Sequence, residues 1–286
     1  MFVLCALWGG NQVVIKLTNA GISPVLQAGL RSAGAALLVW AWSARRGVRL
    51  FQSDGTLAPG LLAGALFAAE FALLYWALEF TAASRAVIFL YTAPFVVALG
   101  GQWFVPGERL SALQAAGLVA AFAGVVAAFA DRLAVPAKHE LIGDAMALAA
   151  GILWGATTVV VKASRLVRVS ANKTLFYQLA VSAAALPPVS LALGERGVFD
   201  PTALVLGLLL FQTAVVAFAS YLAWFWLVKH YPAGRLAAFT FLTPPFGVLA
   251  GGALLGERVT LLHGLALALV AGGIYLVNRP AAAPAR

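Results

Sequence analysis

Long uncharged runs dominate the chain. Residues 86–107, 110–130, 174–194, 201–228, 236–256 and 259–278 contain no Lys, Arg, Asp or Glu. Each reaches the roughly 20 apolar residues that cross bilayer hydrocarbon as a helix. The runs do not alternate every second residue, which excludes the short strands of an outer-membrane barrel. The pattern predicts ten helices, over 1–18, 24–44, 57–79, 84–105, 111–130, 141–163, 172–193, 203–229, 233–255 and 260–278. Ser23-Pro24 supplies a start signal, serine as cap and proline at the first helical position. Ser111 and Gln114 have capping-box spacing at the fifth helix. The polar stretch 131–140, broken by Pro136, joins two halves, 1–135 and 136–286.

Composition agrees. The chain is 63% hydrophobic and 10% charged, where a soluble domain carries about 25% charge. The expected fold is therefore an all-α polytopic membrane protein, with the lipid bilayer as its first partner. The net charge of +9 reads as cytoplasmic loop charge and not as a nucleic-acid surface. With the N-terminus inside, the cytoplasmic segments hold Arg45, Arg46, Arg49, Arg109, Lys162, Arg165, Arg168, Lys173, Lys229, Arg235, Arg279 and Arg286. The outer segments hold Lys16, Arg85, Arg132, Lys138, Arg196 and Arg258. This bias places both termini in the cytoplasm. Cys5, the single cysteine, permits no disulfide within the chain. Residues 1–15 lack the basic start of a signal peptide.

One stretch occurs twice. Thr92, Pro94, Phe95, Gly100 and Gly101 match Thr243, Pro245, Phe246, Gly251 and Gly252 at a constant offset, and Gly107-Glu108-Arg109 then matches Gly256-Glu257-Arg258. Leu7-Trp8-Gly9 and Lys16 likewise match Leu153-Trp154-Gly155 and Lys162. Such self-similarity marks an internal repeat. Five helices per half is odd, so the second half enters the membrane inverted, as in many secondary transporters. The counterpart of Leu141 precedes Met1, so either a short N-terminal extension or a short first helix is expected.

These motifs resemble the drug/metabolite transporter superfamily, specifically its ten-helix EamA-type branch. The signature reads here as Ala77-Leu78, Ala82-Ala83-Ser84, Pro94, Gly107-Glu108-Arg109, Gly117 and Gly124. Its second copy reads Pro245, Gly256-Glu257-Arg258, Gly264 and Gly272-Gly273. Overall the chain looks most like the YddG-type bacterial amino acid exporters. The resemblance implies two inverted five-helix repeats around a central cavity, in a bacterial inner membrane, exporting a small metabolite. The chain departs from the four-helix relatives, which carry a proton-coupling carboxylate in their first helix; here that helix has no acid.

Trp8, Gln12 and Lys16 share one helix face, as do Trp154, Thr158 and Lys162. Two readings fit each face: a wall of the substrate path, or tryptophan packing with lysines snorkelling to the interface. Glu70 is the only acid deep inside a predicted helix. It reads either as a proton-coupling or ammonium-binding group, or as a neutral acid bonded to a neighbouring helix. Arg31 reads as structural. Asn11, Gln12, Thr158 and Gln212 suit the polar ends of an amino acid, and Tyr91, Tyr221 and Trp224 complete the lining candidates. Trp40, Trp42, Trp76, Trp103 and Trp226 read as an aromatic belt. Pro94, Pro244 and Pro245 free backbone carbonyls, chiefly of Leu90 and Phe241, near mid-membrane. They read as hinges (Pro94 and Pro245) or as static kinks. The Gly pairs read as close helix contacts, and Glu108 and Glu257 as groups that stabilise their own turns. No metal-ligand spacing, nucleotide loop or nucleophile–base set occurs, so no cofactor, metal or catalytic group is expected. The leading expectation is an alternating-access exporter of aromatic or neutral apolar amino acids, able to work as a monomer. The alternative is a broad exporter of hydrophobic or cationic compounds.

Overall fold

The computed structural model describes residues 1–130, 137–255 and 261–279. The Gly256-Glu257-Arg258 turn, Pro136, Arg132 and Arg286 lie outside the described residues. Among those described, regular structure is helical apart from one isolated bridge between Ile22 and Val198. The main helical segments among the described residues are α1 (Phe2–Thr18), α2 (Pro24–Arg45), α3 (Leu57–Ala77), α4 (Ala83–Phe104), α5 (Ala112–Ala128), α6 (Glu140–Ala163), α7 (Ala171–Ala192), α8 (Ala203–His230), α9 (Ala233–Leu254) and α10 (Leu261–Asn278), with a 3-10 turn over Arg165–Arg168. Seven of them (α3, α4, α6, α7, α8, α9 and α10) are long and apolar enough to cross a membrane, and α1 and α5 are shorter apolar helices. The chain is a multi-pass membrane protein.

Local chemistry explains some helix starts. Ser111 and Gln114 form the expected capping box, worth about 1 kcal/mol. Ser23 caps differently from expectation. Its hydroxyl accepts from the Gly197 N–H at 3.1 Å, and no side-chain cap bond reaches its own helix. The first free N–H groups of α2, Val25 and Leu26, donate instead to the Glu195 carboxylate at 3.0 and 3.1 Å. A carboxylate at a helix N-terminus satisfies orphan donors and complements the dipole.

Small residues set how closely the helices approach. A Cβ on Gly117 would lie 2.7 Å from the Gly273 carbonyl oxygen, so α5 and α10 meet almost backbone to backbone. The α1–α9 and α6–α4 contacts are built the same way. A Cβ on Gly9 would fall 2.7 Å from the Thr243 carbonyl oxygen, and one on Gly155 2.9 Å from that of Ala93.

Three helices are irregular at mid-length. Helix α4 opens into a turn at Tyr91–Thr92 and restarts at Ala93, leaving Pro94 in its new first turn rather than at a bend in continuous helix. The Thr92 hydroxyl donates to the Phe89 carbonyl at 2.7 Å, and the Thr92 N–H donates to the same carbonyl at 3.2 Å. Helix α9 tightens to a 3-10 turn over Phe239–Leu242 before Thr243 and the proline pair. Helix α8 widens to π winding over Gln212–Ser220.

Candidate functional site

The breaks in α4 and α9 and the wide turn in α8 surround one chamber of about 190 Å³. It is lined from α1, α2, α3, α4, α6, α7, α8 and α9. Nine of the ten lining candidates face it: Trp8, Asn11, Gln12, Glu70, Tyr91, Trp154, Thr158, Tyr221 and Trp224. Gln12, Leu78 and Ala83 are exposed lining residues. They place the chamber's opening toward the end of the bundle where α3 meets α4.

Gln212 lies elsewhere. It is fully buried, and its Nε2 donates to the Thr18 hydroxyl at 3.0 Å. It stands at the start of the π-wound stretch, on the side of α8 that faces α1. Pro94 and Pro245 border the helix breaks without lining the chamber.

One wall is built around Trp8. Its indole N–H donates to the Ser220 hydroxyl at 2.8 Å. Its ring meets Tyr221 and Trp224 edge to face, at 6.2 and 5.6 Å between centroids. Phe67 continues this cluster to Tyr221 and Phe71. Such ring pairs add roughly 0.5–1.5 kcal/mol each beyond burial. The opposite wall is built around Trp154, which meets Tyr91 edge to face at 5.6 Å. Thr158 donates to the Trp154 carbonyl at 3.4 Å and Thr157 to that of Leu153 at 2.9 Å, so both hydroxyls are tied to their own helix.

Several polar lining residues were not among the lining candidates read from the sequence. Arg31, read there as structural, faces the chamber and stacks over Phe71, its Cζ 4.5 Å from the ring centroid. Gln178 on α7 and Thr243 on α9 also line it. A lone arginine near a helix start looks like a snorkelling residue; only a partner surface reveals that it points inward.

The two ends of the bundle are fastened by polar clasps. At the end where α3 meets α4, Arg85 pairs with Asp144, which also accepts from the Thr81 hydroxyl at 2.8 Å. At the other end, Lys162 donates to the Val228 and Tyr231 carbonyls at 2.7 and 2.8 Å. Glu108 accepts from the Ala233 N–H at 2.9 Å and lies 3.9 Å from Lys162. Glu108 thus ties its turn to the start of α9, a contact across the two halves rather than within one turn. Lys173 pairs with Asp54 at 2.8 Å. Hydrogen bonds from Lys173, first, and Thr56 pull the Asp54 carboxyl down to about 2. Trp40, Trp42, Trp76, Trp103 and Trp226 all lie exposed on the surface, as an aromatic belt requires.

A helical bundle with a polar-and-aromatic chamber inside its membrane-spanning part has the build of a membrane transporter. The chain belongs to the EamA-like transporter family, whose model matches residues 1–130 and 141–279. It is 26% identical to a "Probable amino-acid metabolite efflux pump" of Escherichia coli K12, over 96% of this chain and 92% of that one. It is 28% identical to the protein of the same description in Salmonella typhimurium, with the same coverage. An "Uncharacterized transporter" of Archaeoglobus fulgidus is 25% identical over 95% of this chain and 93% of its own. A solved crystal structure, 19% identical, superposes with a TM-score of 0.84 over 96% of this chain and 94% of that chain; it supports the fold alone.

Proposed function

We propose that the protein is a secondary transporter of the bacterial inner membrane that exports aromatic or neutral apolar amino acids by alternating access. The observation that carries this reading is the chamber itself, which gathers three tryptophans, a carboxylate and several uncharged hydrogen-bonding groups at the helix breaks. Aromatic walls suit an apolar side chain, and the polar groups offset the desolvation of its charged ends. Both termini lie in the cytoplasm. The chamber then opens outward, and the Lys162, Glu108 and Lys173 clasps close its inner end.

Residues 1–135 and 136–286 form two inverted repeats of five membrane-spanning helices each. The packing supports this: α1 lies on α9 as α6 lies on α4, while α2 pairs with α7 and α5 with α10. Pro94 and Pro245 serve as hinges at paired breaks, and one copy of the chain suffices. The test is counterflow of labelled phenylalanine in proteoliposomes. Saturable exchange is expected; exchange of organic cations with no amino acid would favour the broad exporter.

A further inference from the structure

Arg31 and Glu70 enter the chamber from α2 and α3 with hydrogen-bonding atoms that the protein leaves unused. Arg31 is 1% exposed and Glu70 6%. Nε and Nη2 of Arg31 and Oε2 of Glu70 have no protein partner. An enclosed charge ordinarily pairs with the nearest opposite charge. Among the described residues these two make no direct ion pair. The guanidinium is held instead against Phe71, with Tyr221 and Tyr75 beside it. Two buried amides share the chamber: Gln178, 0% exposed with both side-chain polar atoms unpartnered, and Asn11, whose Oδ1 is unpartnered. The rest of the lining is largely aromatic and aliphatic.

We propose that Arg31 and Glu70 form a receptor for a zwitterion, the guanidinium taking a carboxylate and Glu70 an ammonium. The ligand class is a free α-amino acid whose apolar or aromatic substituent fills the remaining chamber; this rests on the export reading above. Gln178 and Asn11 supply further hydrogen bonds to the two charged ends. A bare cation leaves Arg31 unpaired and of like charge to the ligand. A bare carboxylate does the same to Glu70. The chamber therefore rejects each by a repulsive element as well as by a lost contact.

The test uses the purified full chain, with binding read from tryptophan fluorescence and transport from counterflow. The ligands are phenylalanine, phenethylamine, which lacks the carboxylate, and hydrocinnamate, which lacks the ammonium. The wild type is expected to prefer phenylalanine over each analogue by at least about tenfold, as sites built around a polar group do. Arg31→Gln should narrow the preference over phenethylamine to about threefold or less and keep that over hydrocinnamate; Glu70→Gln should do the reverse. A wild type that binds either analogue as tightly as phenylalanine overturns the receptor, whether or not the variants fold. So do unchanged ratios in both variants. If phenylalanine still exchanges in counterflow, only the receptor falls. If the wild type neither binds nor exchanges any amino acid, the export reading falls with it.

Discussion

Trp8 and Trp154 stand on opposite sides of the chamber, each followed by a glycine that lets a broken helix abut its own. Under the proposed two-fold, aligning Trp76 with Trp226 and Ser23 with Ser170 pairs Glu70 with Ser220 and Arg31 with Gln178. The backbone contacts repeat, but the charges do not. Both ionisable members of these pairs belong to the first half, and their counterparts are a hydroxyl and an amide. Ser220 is used up by Trp8, whereas Glu70 keeps Oε2 unpartnered. The difference teaches that the repeat preserves what the fold needs, close approach and helix breaks. What the ligand meets differs between the halves.

The largest expected effect tests the shared part. Gly9→Val and Gly155→Val each drive a side chain into backbone atoms of α9 or α4. Backbone cannot swing aside as a side chain tip does, so each should cost about 1–3 kcal/mol, read as lower thermal stability in detergent. Similar losses sharpen the likeness of the two walls. A variant as stable as wild type breaks it.

Next come the two tryptophans, where the walls should part. Trp8→Ala removes a hydrogen bond and two ring contacts, so phenylalanine transport should fall about tenfold. Trp154→Ala removes one such contact and should cost about threefold. Both should still elute as single folded species by size exclusion. Wild-type transport in both makes these rings packing residues.

Pro94→Ala and Pro245→Ala probe the paired breaks. Turnover should fall by on the order of a few-fold with substrate affinity kept, because hinges govern opening rather than binding. Unchanged transport in both leaves the breaks as static features.

The smallest effect compares two clasps, each of which ties a loop to the start of a helix in the other half. Glu195 holds backbone donors of α2, while Asp54 holds the Lys173 side chain of α7. Glu195→Gln should lower the melting temperature more than Asp54→Asn, since exposed pairs contribute little. The sign for Asp54 follows from its depressed folded value. Its contribution is complete above the unfolded value of 3.8 and is lost as pH falls through about 2. Melting curves at pH 7, 5 and 3 should therefore show the Asp54→Asn difference persist at 7 and 5 and shrink at 3.

Helix positions and the paired motifs were legible in the chain, because each rests on local facts. An uncharged run long enough for a bilayer, a serine with a glutamine three residues on, and a proline that cannot donate act within a turn or two. Belt tryptophans were legible for the same reason. The chamber was partly legible: Trp8, Glu70 and Trp154 could be named from depth and repetition. Arg31 and Gln178 could not, since which way a side chain faces depends on which helix lies beside it. Gln212 was misplaced because its partner, the Thr18 hydroxyl, lies on a helix far away in the chain. Glu108 could be assigned to its own turn from sequence, yet its partner Ala233 lies in the other half. The sequence by itself determined a membrane bundle with a repeated broken helix, through hydrophobic length and backbone chemistry. Only the tertiary structure decided that a guanidinium, a carboxylate and two amides converge on one chamber, because that convergence is made by contacts between helices far apart in the chain.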